Sequence, residues 1–414
     1  MRNSIITSFC IMLTTILSGQ TINVNSLQGK SVTAAFKAAM QSSCDTIFFD
    51  KANSPYIFKP LRFEGCSGKT ILLEEGVEFR AMKGAFPKKT DALLKFLNCV
   101  DISIIGNNAT FRMNKEDYLD GEWRHVIRVK GSKNIRIENL TLRDSGGDGI
   151  TIGGNEKNPY SENIYIDSIK SLNNKRQGIS IVSAKNVQVK NSLFAETRGT
   201  LPGAGVDIEP NGPTDVIENI VFEKCVFRDN YNSGIKVDLH QLNSQSNPTS
   251  ILFEDCYLSN NFCVEDVKVP AEIAIKANKL DPVGGQVVFK RCRVEDSKWG
   301  FLFAKKNAKG FDVVFEDCSA KNICQSGTRP AIYLEAPHFR EPTEIGGFNF
   351  NSLTLDYQPD VPVLRVLGSR RGAMKHLTDV KGKFILTAKK TLNFDYDAYT
   401  PKHNKNVQLE IIYQ

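Results

Sequence analysis

The sequence is poor in several things that would settle its class early. It has only two tryptophans, Trp123 and Trp299, which argues against a binding surface built on stacked indole rings. Beyond the N-terminal stretch, no apolar run approaches the ~18 consecutive residues of a membrane span. No basic run suggests a nucleic-acid tail, and the net charge of +7 over 414 residues is modest. Ten cysteines are present, but no Cys/His cluster has zinc spacing. Nor is there a triplet period of the collagen kind; 41% apolar and 24% charged residues describe a globular chain.

Residues 1–19 carry one charge, Arg2, then an apolar stretch from Ile5 to Leu17 and small residues at Ser18 and Gly19. This is the layout of a secretory signal peptide, so a secreted or periplasmic protein is expected. Cys10 lies inside the apolar stretch, where it cannot serve as a lipobox.

An internal period decides the fold. The strand pattern Asp148-Gly-Ile-Thr-Ile152 recurs at Gln177–Ile181, Ala204–Ile208 and Ser233–Val237, and more loosely at Ile273, Phe301 and Ile332. From Ile150 the spacings are 29, 27, 29, 38, 28 and 31 residues. A second pattern interleaves with it: Asn134-Ile-Arg-Ile137, Asn163-Ile-Tyr-Ile166, Asn186-Val-Gln-Val189 and Asn219-Ile-Val-Phe222. Short alternating strands at roughly 28-residue intervals cannot bury an inner face alone, whereas stacked coils can. No helical period occurs within the units, which excludes ankyrin- and tetratricopeptide-type repeats. The expected fold is all-β: a right-handed parallel β-helix solenoid over 20–357. An N-terminal capping helix at about 31–42 and a small C-terminal β extension over 358–414 complete it. Cys225, Cys256, Cys292 and Cys318 each follow a strand phenylalanine by three residues, which makes them an inward ladder rather than a disulfide framework. Asn163, Asn186 and Asn219 recur at coil corners as turn residues.

Strand alternation turns Asp207 and Glu209 outward on one face, with Lys236 and Asp238 on the next coil. Arg176 and Gln177 lie at the start of the preceding strand, Asp148 one coil earlier and His240 at the end of the Lys236 strand. Longer connections at 196–203, which contains Arg198, at 239–249 and at 259–271 flank this face as cleft walls. Asp207, Glu209, Lys236, Asp238 and His240 are the candidate catalytic residues, and Asp148, Arg176, Gln177 and Arg198 the candidate substrate-binding ones.

From about residue 22 to 357 the chain resembles the secreted right-handed parallel β-helix proteins of the pectate-lyase-like superfamily. The matching elements are the capping helix, Leu72-Leu-Glu-Glu-Gly76, Gly147-Asp-Gly-Ile-Thr-Ile152, Asn174-Lys-Arg-Gln-Gly-Ile-Ser180 and Gly205-Val-Asp-Ile-Glu-Pro210. The resemblance implies a carbohydrate substrate but not a reaction. The calcium-dependent pectate lyase motif is not evident, nor is the Asn-Thr-Asp pattern of polygalacturonases. The first reading is β-elimination at a uronic acid residue. In that reading Arg176 and Lys236 neutralise the substrate carboxylate, and His240, Glu209 or Tyr231 accepts the proton. The alternative is glycoside hydrolysis by the Asp207, Glu209 and Asp238 carboxylates. C5-epimerisation and non-catalytic glycan binding come after these. Calcium bridging through Asp207, Glu209 and Asp238 is optional, since no fixed-spacing calcium loop occurs. An acidic polysaccharide or oligosaccharide is the expected partner of a monomeric chain.

Overall fold

A computed structural model describes residues 19–414 apart from 28, 120, 262–270, 338–343, 358–359, 368–375, 388–393 and 398–400. The segment expected to be a signal peptide, apart from Gly19, and most of the connection at 259–271 lie outside the described residues. Among those described, no helix is long and apolar enough to cross a membrane.

The chain winds as a parallel β-helix, with strands collected into a 12-stranded sheet and a 22-stranded sheet that runs around the rest of each coil. Parallel crossovers of this kind are right-handed. The helix α1, Val32–Gln41, begins where expected: the Ser31 hydroxyl accepts a hydrogen bond from the Ala34 amide. Its Phe36 enters the open end of the coil among Phe49, Phe58, Phe63 and Phe79, with ring centroids 4.9–6.1 Å away. The helix therefore seals the core at this end.

Inward residues stack coil upon coil. Phe222, Phe253, Phe289, Phe315 and Phe350 form a continuous file of near-parallel rings 4.9–5.4 Å apart. The four cysteines run beside it, all buried and all free thiols. Each thiol faces a main-chain carbonyl of the coil before: Cys292 to Phe253 O and Cys318 to Phe289 O, both at 3.3 Å. At the corners, Asn163, Asn186 and Asn219 adopt φ of 54–55°, the left-handed region that asparagine tolerates. Each donates its side-chain amide to the asparagine one coil earlier, at 2.8–3.1 Å.

The strands expected beyond residue 357 are present, but they are further rungs of the solenoid. Leu364–Leu367 pairs in parallel with Ile332–Glu335 and then with Phe394–Asp397, while Leu377–Leu386 pairs with Ile345–Tyr357 and with Lys405–Tyr413. The asparagine and glycine signature fades there while the apolar alternation that makes a rung persists.

Candidate active site

The 12-stranded sheet carries the candidate site. Its rungs here are β1 (Ala92–Leu97), β2 (His125–Lys130), β3 (Ile150–Gly153), β4 (Ile179–Ile181), β5 (Val206–Ile208), β6 (Ile235–Leu239), β7 (Ala271–Ala277) and β8 (Gly300–Lys305). Unbroken register places Lys95, Arg128, Thr151, Ser180, Asp207, Lys236, Ala274 and Phe303 in one outward file. Outward positions of a solenoid are ordinarily wet, yet Thr151, Ser180 and Asp207 are 6%, 4% and 1% exposed. They form the floor of a walled cavity of about 280 Å³, shared with His125, Asp148 and Arg176.

Asp207 is the most constrained group. Gln177, itself buried, donates Nε2–H to Asp207 Oδ2 at 2.7 Å and accepts the Ala204 amide on its own oxygen at 2.8 Å. Gln177 therefore positions the carboxyl. Asp207 Oδ1 stands 3.2 Å from Lys236 Nζ but accepts no well-aligned hydrogen bond. Burial pushes the Asp207 pKa up to about 7 against the pull of Lys236. Its neighbour Glu209 moves the other way. Burial opposes its charge, but Lys236, a hydrogen bond shared with Asp207, and Arg176 together hold it below the ordinary glutamate value. The two carboxyls thus differ in how readily they give up a proton, Asp207 holding its own to higher pH than Glu209.

Lys236 is not free to meet a substrate. Its ammonium lies 3.2 Å from Asp207, 3.2 Å from Glu209 and 3.5 Å from Asp238. Despite burial, these three carboxylates raise its pKa, so it is a fixed cation and no base. It also occupies the point on which the three carboxylates converge, where bridging would place calcium; the residues do not fit that ion. Among the described residues, no group of three or more His, Cys, Asp or Glu side chains is disposed to hold a metal.

Asp148 lines the same cavity as Asp207, on the other side of Ser180. Its Oδ2 accepts from Ser180 Oγ at 2.8 Å and lies 3.3 Å from His125 Nδ1, while Oδ1 has no hydrogen-bond partner among the described residues. Burial raises its pKa to about 6 even though Arg176 opposes the rise. Arg176 spans the two sides, with its guanidinium 3.2 Å from Glu209 and 3.8 Å from Asp148. His125 is buried, and burial together with Arg128 and Arg176 holds it neutral. Its Nδ1 accepts the Asp148 amide at 3.0 Å, which leaves the ring proton on Nε2.

Other expected residues fall elsewhere. His240 Nδ1 lies 2.6 Å from Asp238 Oδ1, and both line a separate pocket of about 400 Å³ with Lys276, Phe303 and Lys305. Tyr231 packs beside Gly203 in the wall connection. The Arg198 side chain is exposed and is not part of the cavity lining; its charge acts on Lys115. The sequence reading missed His125, Arg128, Lys130 and Trp123, which supply the N-terminal end of the cavity.

A family model described as the right handed beta helix region matches residues 100–329, more than half of the sequence, and the chain belongs to that family. An uncharacterised Bacillus subtilis (strain 168) protein, YclG, is 32% identical over 103 residues, covering 23% of this chain and 18% of its own length. The prophage-derived uncharacterised YorA of the same bacterium is 27% identical over 178 residues, covering 40% of this chain and 28% of its own. The chain thus spans less than a third of either curated relative. Among solved structures, the catalytic domain of a GH87 alpha-1,3-glucanase in complex with tetrasaccharides superposes with a TM-score of 0.54 at 12% identity, over 84% of this chain and 67% of that one. The ORF18 protein of Geobacillus virus E2 gives 0.54 at 11% identity, over 90% and 61%. At these identities the likeness is one of fold.

Proposed function

We propose that the chain is a glycan-cleaving enzyme that hydrolyses a glycosidic bond with Asp207 as general acid and Asp148 as the second carboxylate. One observation carries this: two buried carboxyls, shifted to different degrees, line a single cavity. Ser180 bonds Asp148 and is in register with Asp207 on the next coil. With coils about 4.8 Å apart, the carboxyls lie on the order of 5–8 Å from each other, the range of glycosidase pairs. Glu209 touches Asp207 too closely to flank a bond with it; its negative charge keeps the proton on Asp207. The Asp207 proton passes to the glycosidic oxygen as the C1–O bond breaks. Asp148 deprotonates the attacking water, or itself attacks C1 before water releases it, and the anomer formed first distinguishes the two courses. The solved β-helix neighbour that holds tetrasaccharides supports a glycan in such a groove.

β-Elimination at a uronate is the second reading, favoured by the cations Arg128 and Lys130 at the other end of the cavity. Two of the groups expected to serve it are ill placed: Lys236 is saturated by carboxylates and His240 lies in another pocket.

A panel of neutral and acidic oligosaccharides, followed for new reducing ends and for unsaturated-uronate absorbance, tests both readings. Reducing ends without absorbance are expected; absorbance accompanying them establishes elimination instead. Asp207→Asn and Asp148→Asn should each lower kcat/KM by about 10²–10⁴-fold without loss of fold. The pH profile of kcat/KM should be a narrow bell, rising near pH 6 as Asp148 ionises and falling near pH 7 as Asp207 loses its proton. Near-normal turnover in both variants would place the chemistry elsewhere.

A further inference from the structure

The N-terminal end of the same cavity holds cations that the cleavage step leaves unused. Arg128 on β2 is 6% exposed and lines the cavity, yet its Nε and Nη1 have no hydrogen-bond partner among the described residues. Lys95 sits in register with it one coil earlier on β1, and Lys130 follows two residues later on the same face. None of the three forms an ion pair with a described carboxylate. The nearby acids act at longer range: Asp148 on Arg128, Asp215 on Lys130 and Asp91 on Lys95. Trp123 lies with its ring centroid 6.0 Å from the guanidinium carbon and forms part of the cavity wall.

Three cations stacked with no described ion-pair partner, Lys95 donating only to the Thr90 carbonyl at 3.5 Å, repel one another and lose hydration at the same time. The lysines register both costs. Burial, then Arg128, Arg62 and Lys130, push the Lys95 pKa down to about 8, and burial with Arg128 lowers that of Lys130. A buried guanidinium with unmet donors is costly to keep empty. An incoming anion with several acceptor oxygens would relieve both the repulsion and the unmet donors, and arginine presents a planar fork suited to such a group.

We propose that Arg128, supported by Lys95 and Lys130, is an anion subsite that receives the carboxylate or sulfate substituent of the sugar bound against Asp148 and Asp207. The assignment rests on the glycan-cleaving reading for the identity of the ligand, though not for its charge. The cavity of about 280 Å³ is below the size range of drug-sized ligand sites, so it suits one sugar ring and its substituent rather than a longer segment. The anionic group and the bond to be cleaved therefore belong to the same or adjoining rings. The carboxylate-saturated Lys236, expected from the sequence to meet the substrate anion, is replaced in that role by Arg128.

The test is calorimetric titration of the full chain with glucuronic acid, galacturonic acid and glucose 6-sulfate, each against its neutral parent sugar. At least one anionic sugar should bind about tenfold or more tightly than its parent, with the preference shrinking as salt rises. Preference for the uronates marks a carboxylate subsite, and preference for the sulfated sugar marks a sulfate subsite. Arg128→Gln should abolish the preference while neutral-sugar binding persists, and Lys130→Ala should halve it or more. Equal affinity for charged and neutral sugars, no detectable binding of the anionic probes up to 50 mM (a ceiling of about 1.8 kcal/mol in binding free energy), or a preference that survives Arg128→Gln would each overturn the subsite. Repeating the titration with Asp207→Asn separates the two proposals. Anion preference without hydrolysis in the native chain keeps the subsite and removes the hydrolase reading; hydrolysis of neutral glycans without anion preference does the reverse.

Discussion

Glu272 is fully enclosed at the end of a file of amides. Its carboxyl accepts from Asn261 Nδ2 at 2.6 Å and from Ser297 Oγ at 2.5 Å, and Asn261 in turn accepts from Asn230 at 2.8 Å. Burial raises the Glu272 pKa to about 7, above an unfolded value of 4.5. Between those two values the folded chain holds a proton that the unfolded chain has released. Its contribution to stability is therefore complete below about pH 4.5 and is lost as pH rises through about 7. Glu272→Gln cannot titrate, so its melting temperature should fall less between pH 5 and pH 8 than that of the native chain, by about 2 °C. Parallel pH curves for the two proteins would show that Glu272 does not titrate in that window. No sequence signal marks Glu272, because a glutamate on a strand reads as an exposed face until the coil that covers it is known. Asp207 and Glu209 were legible for the opposite reason, since alternation alone turns both outward. Their unlike protonation was not, because it depends on walls supplied by other coils.

The strands illustrate how far a repeat can be read. From Ile150 onward the Gly-aliphatic signature gave the register of β3 through β7, and the structure pairs Thr151, Ser180, Asp207, Lys236 and Ala274 as that register requires. That signature is absent from the rung before. β2 has the same alternation in His125-Val-Ile-Arg-Val-Lys130, but Ile127 lies only 23 residues before Ile150 and no glycine precedes it in the repeat position. The cations of the cavity were missed with that rung. In the 22-stranded sheet the phenylalanine file works as one packing unit. Phe253 lies 5.1 Å from both Phe222 and Phe289, at interplanar angles of 14° and 7°. Phe253→Ala opens a gap that neighbouring rungs cannot close without breaking their own hydrogen bonds. A loss of about 3–5 kcal/mol in denaturant unfolding is expected, whereas Phe253→Leu should cost less than half as much. Equal costs for the two would mean that filled volume recovers nothing and that the file depends on ring-specific contact alone.

The molecule as a whole is a one-dimensional stack in which each coil contacts chiefly its neighbours. Damage at the cap should therefore stay local. Phe36→Ala removes the ring that fills the N-terminal opening, and hydrogen exchange should quicken in Thr46–Phe49 and Tyr56–Phe58 while β4 and β5 keep their protection. Uniform loss of protection along the chain would show that the coils unfold as a single unit. The same arrangement separates two kinds of sequence change. Connections between rungs differ in length, with repeat spacings from 27 to 38 residues, yet Asp207 and Lys236 remain in register. Inside a rung no such latitude exists, because shifting a strand by one residue would turn Asp207 into the core and Ile208 into the cavity. For a lineage of such proteins this amounts to a division of inheritance. Insertions in the walls are free to reshape what the cavity admits, while the odd–even count along β5 keeps Asp207 on its floor from one variant to the next.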